Sequence, residues 1–253
     1  MASPLAVVTG ASSGIGEAFS RQLSGQGFRV LAVARRIDRL KTLEVDTGDR
    51  VIGLQQDLRE ADAAKVVAQR AEELGGADLL VSNAGRGIFG PFERLDARDA
   101  QDIIQLNVTL TVDLIRHLLP TMLARRRGGL IVVTSAGAHY STPNLAVYGG
   151  TKAFLLSFTE ALATELQGTG VRALALCPGP TSSEFGQVAG MSKLLDGAPG
   201  LMTPDQVAAA GLRAWQKGRV VHVPGGMNRV MTATMSRLPR SATRRIVSAV
   251  FRA

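Results

Sequence analysis

Short apolar runs recur along the chain, and each is bounded by Gly, Pro, Asn or Asp residues that favour turns. Longer stretches with apolar residues at helical spacing lie between these runs. The runs predict seven β-strands, at residues 5–8, 30–33, 51–54, 79–81, 130–133, 171–176 and 220–223.

Within each run the apolar residues are continuous and do not alternate with polar ones. A strand of this kind is buried on both faces, which is typical of a parallel sheet covered by helices. The regular succession of strands and helices therefore predicts a doubly wound α/β fold, with a seven-stranded parallel sheet and helices on both of its faces.

No linker separates two regions that could each hold a core, so we predict a single domain. We assign residues 1–228 to this domain and residues 229–253 to a C-terminal extension. The least regular part of the domain runs from Cys177 to Thr203, and within it residues 182–203 contain glycines, a proline and several apolar side chains. A long loop of this composition predicts a lid over a binding site. The apolar lid residues are Phe185, Met191, Leu194, Leu195 and Met202.

The positive charge is concentrated at one end of the chain. The 253 residues include 29 Lys and Arg against 21 Asp and Glu, a formal net charge of +8, yet residues 206–253 contain nine basic residues and no acidic one. Aromatic residues make up only 4% and are not interleaved with the basic ones, so the stacking platforms of single-strand binders are lacking. We therefore expect no nucleic acid partner.

The basic end of the chain is also amphipathic. Apolar residues recur at helical spacing on either side of Pro239, which predicts two short helices. These helices can pack on the domain, cover the substrate cleft, contact a partner chain or rest on an anionic membrane surface. Packing within the protein is the simpler interpretation, and peripheral membrane contact stays open. The apolar residues are Val230, Met231, Met235, Leu238, Ile246, Val247, Val250 and Phe251, and the arginines are Arg229, Arg237, Arg240, Arg244, Arg245 and Arg252.

The cysteine and histidine content argues against disulfides and metals. A lone Cys177 cannot form a disulfide within the chain, which is typical of a reducing, intracellular compartment. Three scattered histidines and one cysteine lack metal-ligand spacing, so we expect no metal site. No secretory signal pattern precedes the first strand, and no apolar stretch approaches the roughly 18–20 residues that cross a bilayer. We expect a cytoplasmic protein with at most peripheral membrane contact.

A glycine-rich turn follows the first predicted strand. Residues 9–16 read Thr-Gly-Ala-Ser-Ser-Gly-Ile-Gly, and a helical stretch begins near Ile15. Glycines let the backbone turn sharply and approach a pyrophosphate, and free N–H groups at the helix N-terminus stabilise its charge. Strand, loop and helix in this order predict a dinucleotide site, although the spacing differs from the common Gly-x-Gly-x-x-Gly.

The end of the second predicted strand indicates which dinucleotide is bound. An acidic residue there would accept hydrogen bonds from the adenosine ribose, but this chain has Arg35 and Arg36. Because Arg pairs bidentately with phosphate oxygens, the two guanidinium groups suit a 2′-phosphate. The pattern favours NADP over NAD, and the alternative is an ordinary solvated basic pair.

A Tyr and a Lys lie four residues apart, at Tyr148 and Lys152, beside a helical run. This spacing places both side chains on one helix face. An ammonium beside a phenol stabilises the phenolate, so we predict a Tyr148 pKa lowered from about 10 toward working pH, as a general acid/base requires.

The sequence resembles the short-chain dehydrogenase/reductase family over nearly its whole length. Each motif is weak alone, but the order and spacing of the set are specific, and Ser135 precedes Tyr148 by 13 residues. The resemblance implies a Rossmann-type fold and a homodimer or homotetramer built through the helices that carry Asn107 and Tyr148. It is carried by residues 9–16, Asp57, Asn83-Ala84-Gly85, Asn107, Ser135, Tyr148, Lys152 and Pro178-Gly179-Pro180-Thr181.

The resemblance also implies four catalytic roles. Tyr148 would give or take the proton at the substrate oxygen, and Ser135 would orient that oxygen. Lys152 would hold the nicotinamide ribose and depress the Tyr148 pKa. Asn107 would anchor a water linking Lys152 to solvent.

The remaining family positions imply contacts with the cofactor. Gly10, Ser12, Ser13, Gly14, Ile15 and Gly16 would hold the pyrophosphate, and Arg35 and Arg36 match the NADP-preferring pattern. Asp57 and Leu58 would contact the adenine, and Asn83, Ala84 and Gly85 would line the cleft. Pro178, Gly179, Thr181 and Ser183 would bind the nicotinamide carboxamide, with Tyr148 and Lys152 nearby. Ser82, Thr181 and Ser183 are mild departures from the residues common in the family.

The sequence therefore predicts an NADP(H)-dependent oxidoreductase that interconverts a carbonyl and an alcohol by direct hydride transfer. The apolar lid indicates a lipophilic substrate. Two alternatives stay open: a non-catalytic NADP-binding regulator or scaffold on the same fold, and an NAD-dependent alcohol dehydrogenase.

Overall fold

A computed structural model of the protein describes residues 3–250, apart from the side chains of Lys193 and Val250. The predicted Phe251 and Arg252 of the C-terminal extension lie outside the described residues. The seven predicted strands are present, with small shifts at their ends. They are β1 (Leu5–Thr9), β2 (Arg29–Ala34), β3 (Val51–Gln55), β4 (Leu79–Ser82), β5 (Gly128–Val133), β6 (Val171–Leu176) and β7 (Val221–His222).

All seven strands form one parallel sheet in the order β3-β2-β1-β4-β5-β6-β7. The prediction of a doubly wound, single-domain α/β fold is confirmed. The strand order reverses between β1 and β4, because β2 and β3 lie on one side of β1 and the later strands on the other. Such a reversal opens a crevice at the carboxyl ends of the strands, where open α/β sheets bind ligands.

Helices cover both faces of the sheet. The longer ones are α1 (Gly14–Gly25), α2 (Ile37–Thr47), α3 (Ala63–Glu73), α4 (Ala97–Ile104), α5 (Leu110–Ala124) and α6 (Ala146–Glu165), followed by α9 (Pro204–Gln216), α10 (Gly226–Arg237) and α11 (Arg240–Val250). Two short helices, α7 (Glu184–Val188) and α8 (Ser192–Leu195), lie in the predicted lid.

Each face of the sheet has its own apolar core. On one face, α3, α5 and α6 bury Val67, Leu114 and Leu155 against the strands. On the other face, α1, α2 and α9 bury Phe19, Leu40 and Leu212. The strands are buried from both sides, which explains their continuous apolar sequences.

The C-terminal segment forms two helices that pack on the domain. α10 buries Asn228 and Thr232, and α11 buries Thr243 and Val247. The Thr243 hydroxyl donates to the carbonyl of Met235 at 3.2 Å and closes the turn between the two helices. Their outward faces carry exposed arginines, and contact of those faces with a membrane surface stays a prediction. Within the described residues, no helix is long and apolar enough to cross a bilayer.

Candidate active site

A cavity of about 920 Å³ opens at the carboxyl ends of the strands. Loops after β1 to β6 line it, together with the lid and the last two helices. Nearly all of the predicted site residues line this one cavity; the exceptions are Gly16 and Asn107. The predicted residues in its wall are Gly10, Ser12, Ser13, Gly14, Ile15, Arg35, Arg36, Asp57, Leu58, Asn83, Ala84, Gly85, Ser135, Tyr148, Lys152, Pro178, Gly179, Thr181 and Ser183.

The glycine-rich turn forms a backbone cradle at the N-terminus of α1. Gly10 and Gly14 have φ of +68° and +56°, a left-handed conformation that other residues rarely adopt. Gly16 lies behind the cavity wall, where a Cβ atom would overlap the carbonyl oxygen of Gly10. The Ser13 side chain does not cap α1, so the first N–H groups of the helix stay available to an anion. This loop fits a pyrophosphate.

Hydrogen bonds join the ends of β1 and β4 at the crevice. The Thr9 Oγ1 accepts from the backbone N–H groups of Asn83 and Ala84, both at 3.0 Å. The Asn83 side chain donates to the Thr9 carbonyl at 2.9 Å. The sequence analysis assigned no positioning role to Thr9. The signal that could have revealed this role is its hydroxyl at the carboxyl end of a buried strand.

Arg35 and Arg36, the two arginines after β2, both line the cavity. The Arg36 guanidinium donates through Nε to the Ser12 Oγ at 3.2 Å and through Nη1 to a Glu184 carboxylate oxygen at 2.8 Å. Sequence reasoning found no acidic residue next to the arginines, and the fold supplies one from the lid.

Asp57, predicted to lie at the adenine, is held by a neighbouring arginine. Its Oδ2 accepts from Arg59 Nη2 at 2.6 Å, and this hydrogen bond is the main reason why the Asp57 pKa is lowered. Arg59 also pairs with Asp102 of α4 at 2.8 Å. The ion pairs therefore connect the β3 loop to α4.

Tyr148 and Lys152 occupy successive turns at the start of α6, and Ser135 follows β5. The Ser135 side chain lies beside Tyr148, where its hydroxyl acts to lower the pKa of the phenol. The Lys152 Nζ lies 5.7 Å from the centre of the Tyr148 ring and donates to the carbonyl of Val133 at 2.8 Å. The three side chains that the sequence separates by up to 17 residues thus meet at one point of the cavity.

The predicted lowering of the Tyr148 pKa is wrong. Burial raises the Tyr148 pKa to about 12, and the neighbouring Ser135 hydroxyl opposes only part of that effect. Burial also lowers the pKa of Lys152 to about 8. The Lys152 ammonium lies over the Tyr148 ring and donates a hydrogen bond to a carbonyl. Its stabilisation of the phenolate is therefore smaller than the cost of burying the phenolate charge.

Asn107 lies in a π-helical turn, Gln105–Thr109, between α4 and α5. Its amide is fully buried: Oδ1 accepts from the Arg86 N–H at 2.9 Å, and Nδ2 donates to the Thr151 Oγ1 at 2.9 Å. A Cβ atom on Gly85 would lie 3.2 Å from the Asn107 Oδ1 and 3.4 Å from the Lys152 Nζ. Asn107 therefore supports the cavity wall beside Lys152. Sequence periodicity gives no sign of this π turn.

One side of the cavity is apolar. Phe185 of α7 lies 5.4 Å from Tyr148, measured between ring centres. Tyr140 also lines the cavity. The apolar lining comes from the lid and the C-terminal helices and includes Phe185, Val188, Met191, Leu194, Leu195, Met231, Met235, Ile246 and Val247.

Asn228 of α10 connects the C-terminal helices to the lid. Its side chain is buried and donates to the Gly200 carbonyl at 2.9 Å. A Cβ atom on Gly179 would lie 2.5 Å from the Asn228 Cγ, so this glycine admits the amide. Sequence reasoning missed Asn228 because its partners come from distant segments. In the described part of the chain, no cluster of His, Cys, Asp and Glu could hold a metal ion.

The arrangement matches a known protein family. The family model described as short chain dehydrogenase matches residues 4–192. A short chain dehydrogenase of Pseudocercospora fijiensis (strain CIRAD86) is 42% identical over 189 residues, which cover 72% of this chain and 60% of that relative.

Solved structures share the fold over most of the chain. A short-chain dehydrogenase from Streptomyces avermitilis has a TM-score of 0.83 at 28% identity, covering 98% of this chain and 96% of that one. The closed form of a serine dehydrogenase complexed with NADP+ has a TM-score of 0.80 at 29% identity, covering 87% and 93%. Together with the cavity and its residues, these similarities show that the chain belongs to the short chain dehydrogenase family, a family of oxidoreductases.

Proposed function

We propose that the protein is an NADP(H)-dependent oxidoreductase that interconverts a carbonyl and an alcohol on a lipophilic substrate. The observation that carries the proposal is the meeting of Tyr148, Ser135 and Lys152 in one cavity with the glycine-rich turn. The bound nicotinamide supplies or accepts the hydride, and the protein contributes orientation and proton transfer.

NADP(H) is the cofactor that the residues fit best. The glycine-rich turn and the free N–H groups of α1 suit the pyrophosphate, and Arg36 and Ser12 suit a 2′-phosphate. Arg35 and Arg39 add positive charge at the same end of the cavity. The serine dehydrogenase that shares the fold was solved with NADP+, which supports this choice over NAD.

Tyr148 is the general acid/base of the proposed reaction. Its raised pKa keeps the phenol protonated, which suits donation of a proton to the carbonyl oxygen during reduction. Ser135, which lines the same cavity beside Tyr148, orients the same oxygen. In the oxidative direction the phenol must first lose its proton, and a positive charge brought close to its oxygen would favour that loss.

Lys152 and Asn107 have supporting roles in the proposed reaction. Lys152 is almost fully buried beside the Tyr148 ring and is placed to bind the nicotinamide ribose. Asn107 holds the backbone of Arg86 and the hydroxyl of Thr151, the residue that precedes Lys152. We assign Lys152 a direct contact with the cofactor and Asn107 a positioning role.

The substrate is proposed to be lipophilic because the lid and the C-terminal helices give the cavity an apolar side. The main alternative, a non-catalytic NADP-binding scaffold, has no observation in its favour, since Asn107, Ser135, Tyr148 and Lys152 are all present. NADPH consumption measured against ketones of increasing chain length and ring content is expected to favour the more apolar members.

Replacing the proposed acid tests the mechanism directly. Tyr148→Phe is expected to lower the rate of carbonyl reduction by about 10²- to 10⁴-fold, because it removes the proton donor and keeps the ring. The rate is measured as NADPH consumption, and the affinity for NADPH, measured by fluorescence titration, is expected to stay within about twofold because the phenyl ring is retained.

Tyr140→Phe is the matched control, since Tyr140 lines the same cavity and is expected to retain activity. A Tyr148→Phe protein that reduces its best ketone at the wild-type rate would contradict the proposal. NADPH binding without turnover of any carbonyl in the panel would favour the scaffold.

A further inference from the structure

The guanidinium proposed to hold the 2′-phosphate already binds an anion of the protein. Arg36 Nη1 donates to Glu184 Oε2 at 2.8 Å, and Nε and Nη2 both lie 3.2 Å from the Ser12 Oγ. Arg39 Nη2 approaches the other carboxylate oxygen of Glu184 at 3.6 Å. Each nitrogen of the Arg36 guanidinium therefore has a partner within the chain.

Glu184 also lies near the start of the lid. It is the first residue of α7, and the Ser13 side chain of the glycine-rich turn adds to the effect of Arg36 in lowering the pKa of the Glu184 carboxyl. Ser183 lies close to the same turn, where a Cβ atom on Gly14 would come within 3.1 Å of the Ser183 Cβ. One carboxylate thus connects the lid, the glycine-rich turn and the arginines after β2.

A 2′-phosphate and this carboxylate require the same donors. Binding of the phosphate to Arg36 would bring a second anion to a guanidinium that already pairs with Glu184. Two anions at one site repel each other, and the phosphate offers more charge and more acceptor oxygens than the carboxylate. Glu184 is about 40% exposed, so water can take over its solvation when it leaves.

We propose that Glu184 competes with the cofactor 2′-phosphate for Arg36 and fastens the lid while the phosphate is absent. The inference rests on the proposed binding of NADP(H) and adds a specificity-determining residue to it. Binding of the 2′-phosphate displaces the carboxylate and frees the start of α7. A cofactor without the phosphate leaves the ion pair in place.

Two fragments of the cofactor test this competition without a measurement of enzyme activity. Adenosine 2′,5′-bisphosphate carries the 2′-phosphate, and adenosine 5′-monophosphate lacks it. Calorimetric titration is expected to show that Glu184→Gln binds the bisphosphate about three- to fivefold more tightly than wild type, the range given by loss of one partly exposed ion pair. Binding of the monophosphate is expected to be unchanged.

Glu165→Gln is the matched control, because it removes the same charge from an exposed position at the end of α6. It is expected to change neither affinity. Thermal unfolding of both variants confirms that they remain folded. Unchanged or weaker bisphosphate binding by Glu184→Gln would overturn the inference. Wild-type protein that binds both fragments equally well would instead contradict the proposed NADP(H) preference.

Hydrogen exchange of the lid tests the fastening itself. In wild type, the bisphosphate is expected to speed exchange in residues 184–195, whereas the monophosphate is not. In Glu184→Gln the same amides are expected to exchange faster than in wild type before any ligand is added. Equal exchange in wild type and Glu184→Gln without ligand would show that the ion pair does not hold the lid.

Discussion

Two ionisable side chains at the site have their pKa values moved by the same physical cause. Lys152 is almost fully buried and Tyr148 is partly buried, and burial favours the neutral form of each. The phenol is therefore harder to ionise and the ammonium easier to deprotonate than in a free amino acid. The pair that the sequence predicts to be a stabilised phenolate beside an ammonium is, in the folded chain, a protonated phenol beside a desolvated ammonium.

This difference can be measured because the chain has only two tyrosines, Tyr140 and Tyr148. Burial raises the pKa of both, that of Tyr148 to about 12. Absorbance of phenolate at 295 nm is expected to rise at higher pH in native protein than in denatured protein, where both phenols titrate near 10. Between about pH 10 and 12 the unfolded chain has released protons that the native state retains, so Tyr148 makes stability fall as pH rises through this window.

Tyr148→Phe is the control for that titration, since it removes the phenol that ionises last. Its native titration is expected to end at lower pH than that of the wild type. Native and denatured wild-type protein with the same titration curve would contradict the raised pKa values.

At the scale of elements, the cavity depends on segments that are distant in sequence. The loops after the parallel strands line one side of the cavity, whereas the lid, α10 and α11 enclose the apolar side. Asn228 lies at the junction of the lid and α10, with a hydrogen bond to Gly200 and close packing against Gly179. The C-terminal helices are therefore part of the site and more than an appended basic segment.

Removing the Asn228 amide is expected to loosen this junction. Asn228→Ala removes a buried amide and leaves the partly buried Gly200 carbonyl without its partner, and we expect a loss of about 1–3 kcal/mol in the free energy of unfolding. The measurement is urea denaturation followed by circular dichroism. Met227→Ala, an exposed neighbour on the same helix, is expected to change that free energy by less than about 0.5 kcal/mol. Equal stabilities of the two variants would show that the Asn228 hydrogen bond contributes little.

At the scale of the whole molecule, apolar side chains remain exposed on α4 and α6. Ile104 and Phe154 are 48% and 47% exposed, and Phe154 stacks on Phe158 with 6.0 Å between ring centres. These helices belong to the face through which the family resemblance implies a homodimer or homotetramer. An apolar surface of this kind is typical of subunit contacts.

A charge placed on this face is expected to dissociate the assembly. Phe154→Glu would bury an unpaired carboxylate in a subunit contact, so light scattering is expected to show the mass of one chain where wild type shows two or four. Val45→Glu is the control, since Val45 is 81% exposed on α2, on the other face of the sheet. A wild-type protein with the mass of one chain would rule out the predicted assembly, and an unchanged mass for Phe154→Glu would place the contact elsewhere.

The sequence by itself determined the sheet and the chemistry of the cavity. Continuous apolar runs specify strands buried on both faces, and the glycine-rich turn after the first strand predicts a dinucleotide site. These local patterns carried the information because each depends on neighbours a few residues away, whereas Asn83 and Ser135 were identified through the family resemblance.

Only the tertiary structure decided the features that depend on distant segments. The π turn around Asn107, the packing of Asn228 against Gly179, and the ion pair of Glu184 with Arg36 across 148 positions all arise from contacts that no local pattern encodes. The pKa values of Tyr148 and Lys152 likewise depend on the tertiary structure. Whether a neighbouring charge or desolvation dominates depends on how deeply the folded chain buries the pair, and that depth exists only once the lid, α6 and the sheet have packed together.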